Sequence, residues 1–66
     1  MNYPKLKAKI AEKSISRKEL CFLWKCSPTA ASNKVNGKLP IRLDEAQAFS
    51  EYAELSDYEK AEIFLS

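Results

Sequence analysis

The sequence predicts an all-α domain of five helices, and three observations support that fold class. Two capping boxes, Ser16–Glu19 and Ser56–Glu59, mark the starts of helices. Apolar residues recur at helical spacings of three and four, whereas no segment shows the alternation with a period of two that is typical of a strand. The chain has 66 residues, which is enough for one small core. We therefore expect residues 1–66 to form a single compact domain.

The composition argues against secreted, membrane and disordered proteins. Hydrophobic residues make up 45% of the chain and charged residues 30%, as in globular domains. The first residues lack the apolar run of a signal peptide, and no stretch approaches the length of a membrane span. We therefore expect a cytoplasmic protein without a membrane partner.

Neither catalysis nor metal binding is expected. The chain has no histidine, and its two cysteines, Cys21 and Cys26, have no base beside them and cannot build a zinc site alone. A glycine-rich loop for phosphate is also absent from the sequence. We expect no catalytic residue, metal ligand, cofactor or small-molecule substrate, and we expect both thiols to be reduced, in or near the core.

The net charge of +2 conceals a strong asymmetry along the chain. Residues 1–42 carry ten Lys/Arg and two Asp/Glu, a balance of +8, whereas residues 43–66 carry one Lys and seven Asp/Glu, a balance of −6. A chain polarised in this way presents a basic region to an anionic partner such as nucleic acid. Two oppositely charged faces that only favour solubility are the alternative explanation.

The first two helices are predicted at about 4–13 and 17–25, the second opened by the capping box at Ser16. Together with the connection between them, they are expected to bury Leu6, Ile10, Ile15, Leu20, Cys21 and Trp24. Phe22 and Leu23 fall where a surface helix would be polar. Extra packing in a small core is the favoured interpretation, and an exposed protein interface is the other.

The third helix is predicted at about 28–36 and has both ends marked. Ser27 suits the N-cap, Pro28 suits the first helical position, and Gly37 closes the far end. The helix face opposite Ala31 and Val35 is polar and carries Thr29, Ser32, Asn33 and Asn36, with Lys34 to the side and Lys38 just beyond. Such groups suit a major groove, where polar side chains read base edges and lysines meet phosphates. A small solvated surface helix would show the same pattern.

The last two helices are predicted at about 43–54 and 57–65. The fourth is expected to bury Leu43, Ala46, Phe49, Ser50 and Ala53. The fifth returns Ile63, Phe64 or Leu65 to the core or presents them to a second subunit. Phe64 and Leu65 therefore join Phe22 and Leu23 as a possible protein interface.

The layout resembles the phage repressor and Cro-type helix-turn-helix family, also called the xenobiotic-response-element-type domain. The matching segments cover nearly the whole chain and are Tyr3–Lys7, Ser16–Leu20, Ser27–Thr29, Ser32–Lys38, Leu43–Glu45 and Leu55–Phe64. The chain is most similar to small Cro-like regulators from phages of Gram-positive bacteria. The resemblance implies a compact domain of the lambda-repressor-like type, whose third helix enters the major groove.

The resemblance also implies roles for individual residues. Thr29 and Asn33 align with the main base-reading positions, flanked by Pro28 and Ser32. The residues that align with phosphate contacts are Arg17, Asn36 and Lys38. The chain departs from the family where Pro28 replaces a glutamine that reads bases. It departs again where Lys25 replaces the glycine of the turn, so that either Lys25 is left-handed or the turn differs.

Two functions remain open at this point. The first is a sequence-specific DNA-binding transcriptional regulator that binds a palindromic operator as a homodimer, because one small module offers few base contacts. The second is a protein-binding modulator on the same fold, such as an antirepressor that engages a partner repressor. The apolar pair Phe22 and Leu23 and the acidic C-terminal helices favour this second function.

Overall fold

The computed structural model describes residues 1–65, which form five α-helices and no strand. The helices are α1 (Tyr3–Glu12), α2 (Arg17–Trp24), α3 (Pro28–Val35), α4 (Leu43–Tyr52) and α5 (Asp57–Phe64). The predicted all-α fold class is confirmed, and every helix end lies within two residues of its predicted position. Within the described residues, no helix is long and apolar enough to reach across a membrane.

Serine side chains cap the starts of three helices, α2, α3 and α5. The hydroxyl oxygens of Ser16, Ser27 and Ser56 each accept a hydrogen bond from a backbone N–H three residues further on. Glu19 and Glu59 complete the two predicted capping boxes, since their carboxylates accept from the backbone N–H of Ser16 and Ser56 at 3.0 and 3.1 Å. The sequence therefore specifies these helix starts locally.

Left-handed residues end the first four helices. They are Ser14, Lys25, Gly37 and Glu54, with φ values of 54°, 52°, 79° and 54°. At each end the next residue's backbone N–H donates to a carbonyl five positions earlier, which closes the helix. Lys25 adopts the left-handed conformation, which is the first of the two alternatives predicted for this turn. Gly37 has a second reason to lack a side chain, because a Cβ there would lie 3.2 Å from the ring of Tyr3.

The core is centred on Phe49 of α4. Phe49, Leu6 and Ile63 are the largest fully buried side chains. The Phe49 ring packs against Trp24, with centroids 6.3 Å apart, and meets Phe64 edge-on at 6.2 Å. The rest of the buried apolar set comprises Ile15, Leu20, Trp24, Ala31, Ala46 and Ala53. The small alanine side chains on α3 and α4 thus leave space in the core, and aromatic rings from α2, α4 and α5 fill that space.

Two apolar side chains lie outside the core, against prediction. Leu43 was expected to be buried but is 86% exposed, because it begins α4 and a side chain there leans back past the helix start. Phe22 is 88% exposed, since it lies two residues from both Leu20 and Trp24 and so about half a turn from the core. The favoured interpretation of extra packing is therefore wrong for Phe22. Leu23 is half-buried against the core, as that interpretation required.

Ion pairs join the two helices at the ends of the chain. Lys5 pairs with Glu62, and Lys9 pairs with Glu59, so that α1 is held against α5 at two points. The hydrogen bond from Lys9 is the largest cause that lowers the pKa of Glu59 from 4.5 to about 2, and the backbone N–H of Ser56 adds to it. These lysines are consequently occupied within the fold.

Candidate nucleic-acid interface

The turn between α2 and α3 determines how α3 is presented. It comprises only residues 25–27, in which left-handed Lys25 reverses the chain and Ser27 caps α3 by accepting from the Ala30 N–H at 3.2 Å. Ser27, Pro28 and Thr29 are all exposed. The first turn of α3 therefore faces away from the body of the domain.

Thr29 and Asn33 share the outward face of α3. They are four residues apart, and each lies about 200° around the helix from Ala31, whose side chain is fully buried. Thr29 is exposed and Asn33 is half-buried. Among residues 1–65, neither side chain has a hydrogen-bond partner, so their donors and acceptors are open to an external molecule.

Ser32 and Asn36 lie beside this face and interact with each other. The amide nitrogen of Asn36 donates to the Ser32 carbonyl at 2.9 Å and lies 3.4 Å from its hydroxyl oxygen. The Asn36 amide nitrogen is therefore turned toward its own helix. A phosphate contact from that nitrogen requires the side chain to rotate, whereas the exposed side chain of Lys38 has no such constraint.

A groove beside α3 brings two cations next to these polar groups. Lys7 of α1 and Arg17 at the start of α2 line it together with Ser32 and Asn36, and its volume is about 310 Å³. Both cations are exposed, and in the part of the chain that is described neither has an acidic partner. A groove with two available cations and neutral polar groups has the chemistry to hold a phosphate.

Lys34, also predicted to contact phosphate, is placed differently. Its side chain is only 12% exposed and forms an ion pair with Glu45, whose side chain is 11% exposed. The Lys34 ammonium also lies 5.9 Å from the centroid of the Trp24 ring. Lys34 therefore joins α3 to the start of α4, and it can reach a phosphate only if this pair breaks.

The cations divide into two groups by their partners. Lys5, Lys9 and Lys34 are paired with glutamates, Arg42 is paired with Asp44, and Lys60 donates to the side chain of Gln47. Lys7, Arg17 and Lys38 have no partner within residues 1–65. Lys7 and Arg17 line the groove beside α3, and Lys38 follows the C-terminal end of that helix. The other available cations, Lys13, Lys18 and Lys25, do not line the groove beside α3.

The four residues predicted as a possible protein interface lie on two separate surfaces. Phe22 and Leu23 line an apolar groove with Tyr52, between α2 and α4. Phe64 and Leu65 line a second groove between α4 and α5, which also includes exposed Leu43. Leu65 is 80% exposed, whereas Leu23 and Phe64 are half-buried. The fold therefore separates four residues that the sequence pattern had placed in one possible interface.

Two residues of this region were not singled out from the sequence. Lys7 was one of several lysines on α1, and only the fold brings it beside Arg17. Glu45 was placed in the first turn of α4, but it is also buried and accepts from the Arg42 backbone N–H at 2.9 Å. Its position three residues after the cap could have signalled that bond. The pairing of Glu45 with Lys34 joins residues eleven positions apart, so no short sequence pattern predicts it.

Comparisons of the chain with protein-family models, with curated proteins and with solved structures each found no match.

Proposed function

We propose that the protein is a sequence-specific DNA-binding transcriptional regulator that inserts α3 into the major groove. The observation that carries the proposal is the outward face of α3. There Thr29 and Asn33 have no partner among residues 1–65, and the available cations Lys7 and Arg17 line the groove that runs along α3. An α-helix fits the major groove, where an asparagine can bond adenine through two hydrogen bonds and a threonine methyl can pack on thymine.

The cations around α3 would bind the DNA backbone. Lys7 and Arg17 lie on one side of the helix, and Lys38 follows its C-terminal end. Phosphate contacts on both sides would set the register of α3 without reading the sequence. Seven of the nine acidic residues fall in residues 43–66, on other elements than α3, which limits repulsion from the DNA.

We propose that the regulator acts as a homodimer on a palindromic operator. Two half-sites about one helical turn apart would double the small number of base contacts that one α3 offers. The groove between α4 and α5 supplies apolar surface for self-association, with Leu43 and Leu65 exposed by 86% and 80%. Exposed apolar surface of this kind favours association in water.

The roles of Asn33 and Arg17 can be separated by measuring affinity for an operator and for random duplexes across a range of salt. Asn33→Ala should weaken operator binding by about 1–3 kcal/mol and leave random DNA nearly unaffected. Arg17→Ala should weaken both and reduce the salt slope by about 0.9. If Asn33→Ala weakens binding to the operator and to random duplexes equally, the result would contradict a role for α3 in reading bases.

A second candidate function is a protein-binding modulator, such as an antirepressor that engages another repressor. The observation in its favour is Phe22, 88% exposed in the apolar groove with Leu23 and Tyr52. Lys18 stands four residues before Phe22 on α2, one helical turn away, and it lines the same groove. This surface suits a repressor that presents an apolar side chain beside an acidic one.

Phe22→Glu distinguishes this candidate from the first. If the groove binds the partner, the unmodified protein should retain a repressor in a pull-down and Phe22→Glu should not. Tyr58→Glu, which changes a 74% exposed aromatic on α5, should still retain it. The DNA-binding regulator would be the better-supported function if the unmodified protein retains no repressor and Phe22→Glu still binds DNA.

A further inference from the structure

The end of α2 brings the two cysteines together. The carbonyl of Cys21 accepts from the backbone N–H of Lys25 and also from that of Cys26, at 3.1 Å. Between them Lys25 is left-handed, so the chain folds back over the last turn of the helix. In this type of helix end, the first and last residues of the hydrogen-bonded segment commonly pack side chain against side chain. Here both of those residues are cysteines.

The two thiols also share one environment. Both are free, half-buried and packed against the same hydrophobic core. Burial is the main cause that raises the pKa of Cys26, and the nearby Cys21 thiol raises it further, against the opposing effect of Lys34. The two thiols therefore lie at the same edge of the core, on residues whose backbones are joined by a hydrogen bond, with partial access to solvent.

We propose that Cys21 and Cys26 form a modification site, a dithiol that a peroxide converts to an intramolecular disulfide across the α2–α3 turn. Burial raises the pKa of the Cys26 thiol and so disfavours its thiolate, and we therefore assign Cys26 to the second step, which closes the bond. This site is distinct from the proposed DNA-binding face, and it does not depend on that function.

The reaction balances with hydrogen peroxide as the oxidant. The Cys21 thiolate attacks one peroxide oxygen, the O–O bond breaks, and the departing oxygen takes up protons to leave as water. The sulfur of Cys26 then attacks the sulfenic acid sulfur of Cys21, the S–O bond breaks, and a second water leaves. The dithiol loses two electrons and two protons, and the peroxide is reduced to two waters.

Intact-mass measurement after treatment of the dilute, folded chain with hydrogen peroxide tests the proposal. We expect a monomer lighter by two hydrogen atoms, with both titratable thiols lost and both restored by a reductant. Cys21→Ser and Cys26→Ser should each lack this monomeric product. Circular dichroism before treatment should show that each variant retains its helices. A chain that keeps both thiols, or that joins only into disulfide-linked dimers, would overturn the proposal.

Phenylarsine oxide provides an independent probe, since its arsenic bonds two sulfurs at once. The folded chain should take up one equivalent that survives washing with a monothiol, whereas the two serine variants should not retain it. A comparison in urea completes the test. Disulfide formation or arsenic uptake that appears only after urea unfolds the chain would show that the fold does not hold the thiols together.

Discussion

The indole N–H of Trp24 donates to the backbone carbonyl of Glu45, 3.1 Å away and buried. The same tryptophan packs against Phe49, and the ammonium of Lys34 lies over its ring. Lys34 in turn pairs with the carboxylate of Glu45. A single side chain of α2 thus contacts both α3 and α4, which fixes the position of the helix proposed to read DNA.

Trp24→Phe should destabilise the domain by about 2 kcal/mol. The change removes a buried hydrogen bond and part of a well-packed side chain. Urea unfolding followed by circular dichroism measures the loss. Phe22→Ala is the matched control on the same helix, and because Phe22 is 88% exposed it should change stability by no more than about 0.5 kcal/mol. Similar losses for the two variants would contradict the packing described for α2.

Lys34 and Lys38 should differ in their effect on DNA binding. Lys38 is exposed and has no partner within residues 1–65, so Lys38→Met should reduce the salt slope by about 0.9. Lys34 is paired with Glu45, and Lys34→Met should leave the slope unchanged. Fluorescence anisotropy of a labelled duplex across a range of salt gives both slopes. A slope reduced equally by Lys34→Met would mean that the ion pair opens on DNA, as the sequence-based prediction for Lys34 requires.

Lys25→Gly should stabilise the domain by about 1 kcal/mol. Lys25 is held at φ 52°, a conformation that strains a residue with a side chain and that glycine adopts freely. Lys7→Gly is the control, because Lys7 is exposed in the middle of α1 and the same substitution should cost about 1 kcal/mol there. Thermal unfolding of both variants shows whether each substitution raises or lowers the stability of the domain. A loss of stability in Lys25→Gly would show that the lysine side chain makes a contribution larger than the backbone strain.

Glu59→Gln should weaken the dependence of stability on acid pH. The pKa of Glu59 is lowered from 4.5 to about 2, chiefly by the hydrogen bond from Lys9. As the pH falls, the carboxylate of Glu59 is protonated in the unfolded chain before it is protonated in the folded chain. The stabilisation that the ionised Glu59 gives the folded chain is therefore present above about pH 4.5 and is lost as the pH falls toward 2. Glutamine can still complete the capping box at Ser56, so the variant removes the charge and keeps the cap.

Urea midpoints measured from neutral pH down to about 2 compare these chains. The unmodified protein should lose more stability over this range than Glu59→Gln. Glu54→Gln serves as the control, since Glu54 is exposed and its side chain forms no hydrogen bond or ion pair within the described residues. Parallel curves for the unmodified protein and Glu59→Gln would show that the bond between Lys9 and Glu59 does not contribute.

The sequence predicted the helices well because their ends are specified locally. Ser16, Ser27 and Ser56 each cap the helix that follows, and the asparagine-glycine pair at the end of α3 closes it. Such signals act over three or four residues, so they can be recognised without knowledge of the fold. The outward direction of Thr29 and Asn33 followed in the same way from helical periodicity.

Features that depend on how the helices pack could not be predicted. Periodicity places Leu43 on the buried stripe of α4, but a side chain at the first helical position leans past the helix start and remains outside. The contacts of Lys34 with Glu45 and the approach of Lys7 to Arg17 both require the relative positions of helices. The bond from the Cys26 backbone N–H to the Cys21 carbonyl depends on the left-handed conformation of Lys25, for which the sequence allowed two alternatives.

Selection of bound sequences from a pool of random DNA duplexes tests the central proposal most directly. If α3 reads bases in a homodimer, the pool should become enriched in a palindrome with half-sites about one helical turn apart. Thr29→Ala and Asn33→Ala should then relax the selected sequence at separate positions in each half-site. A pool that shows no enriched sequence, with only weak binding that disappears as salt rises, would contradict a sequence-specific regulator.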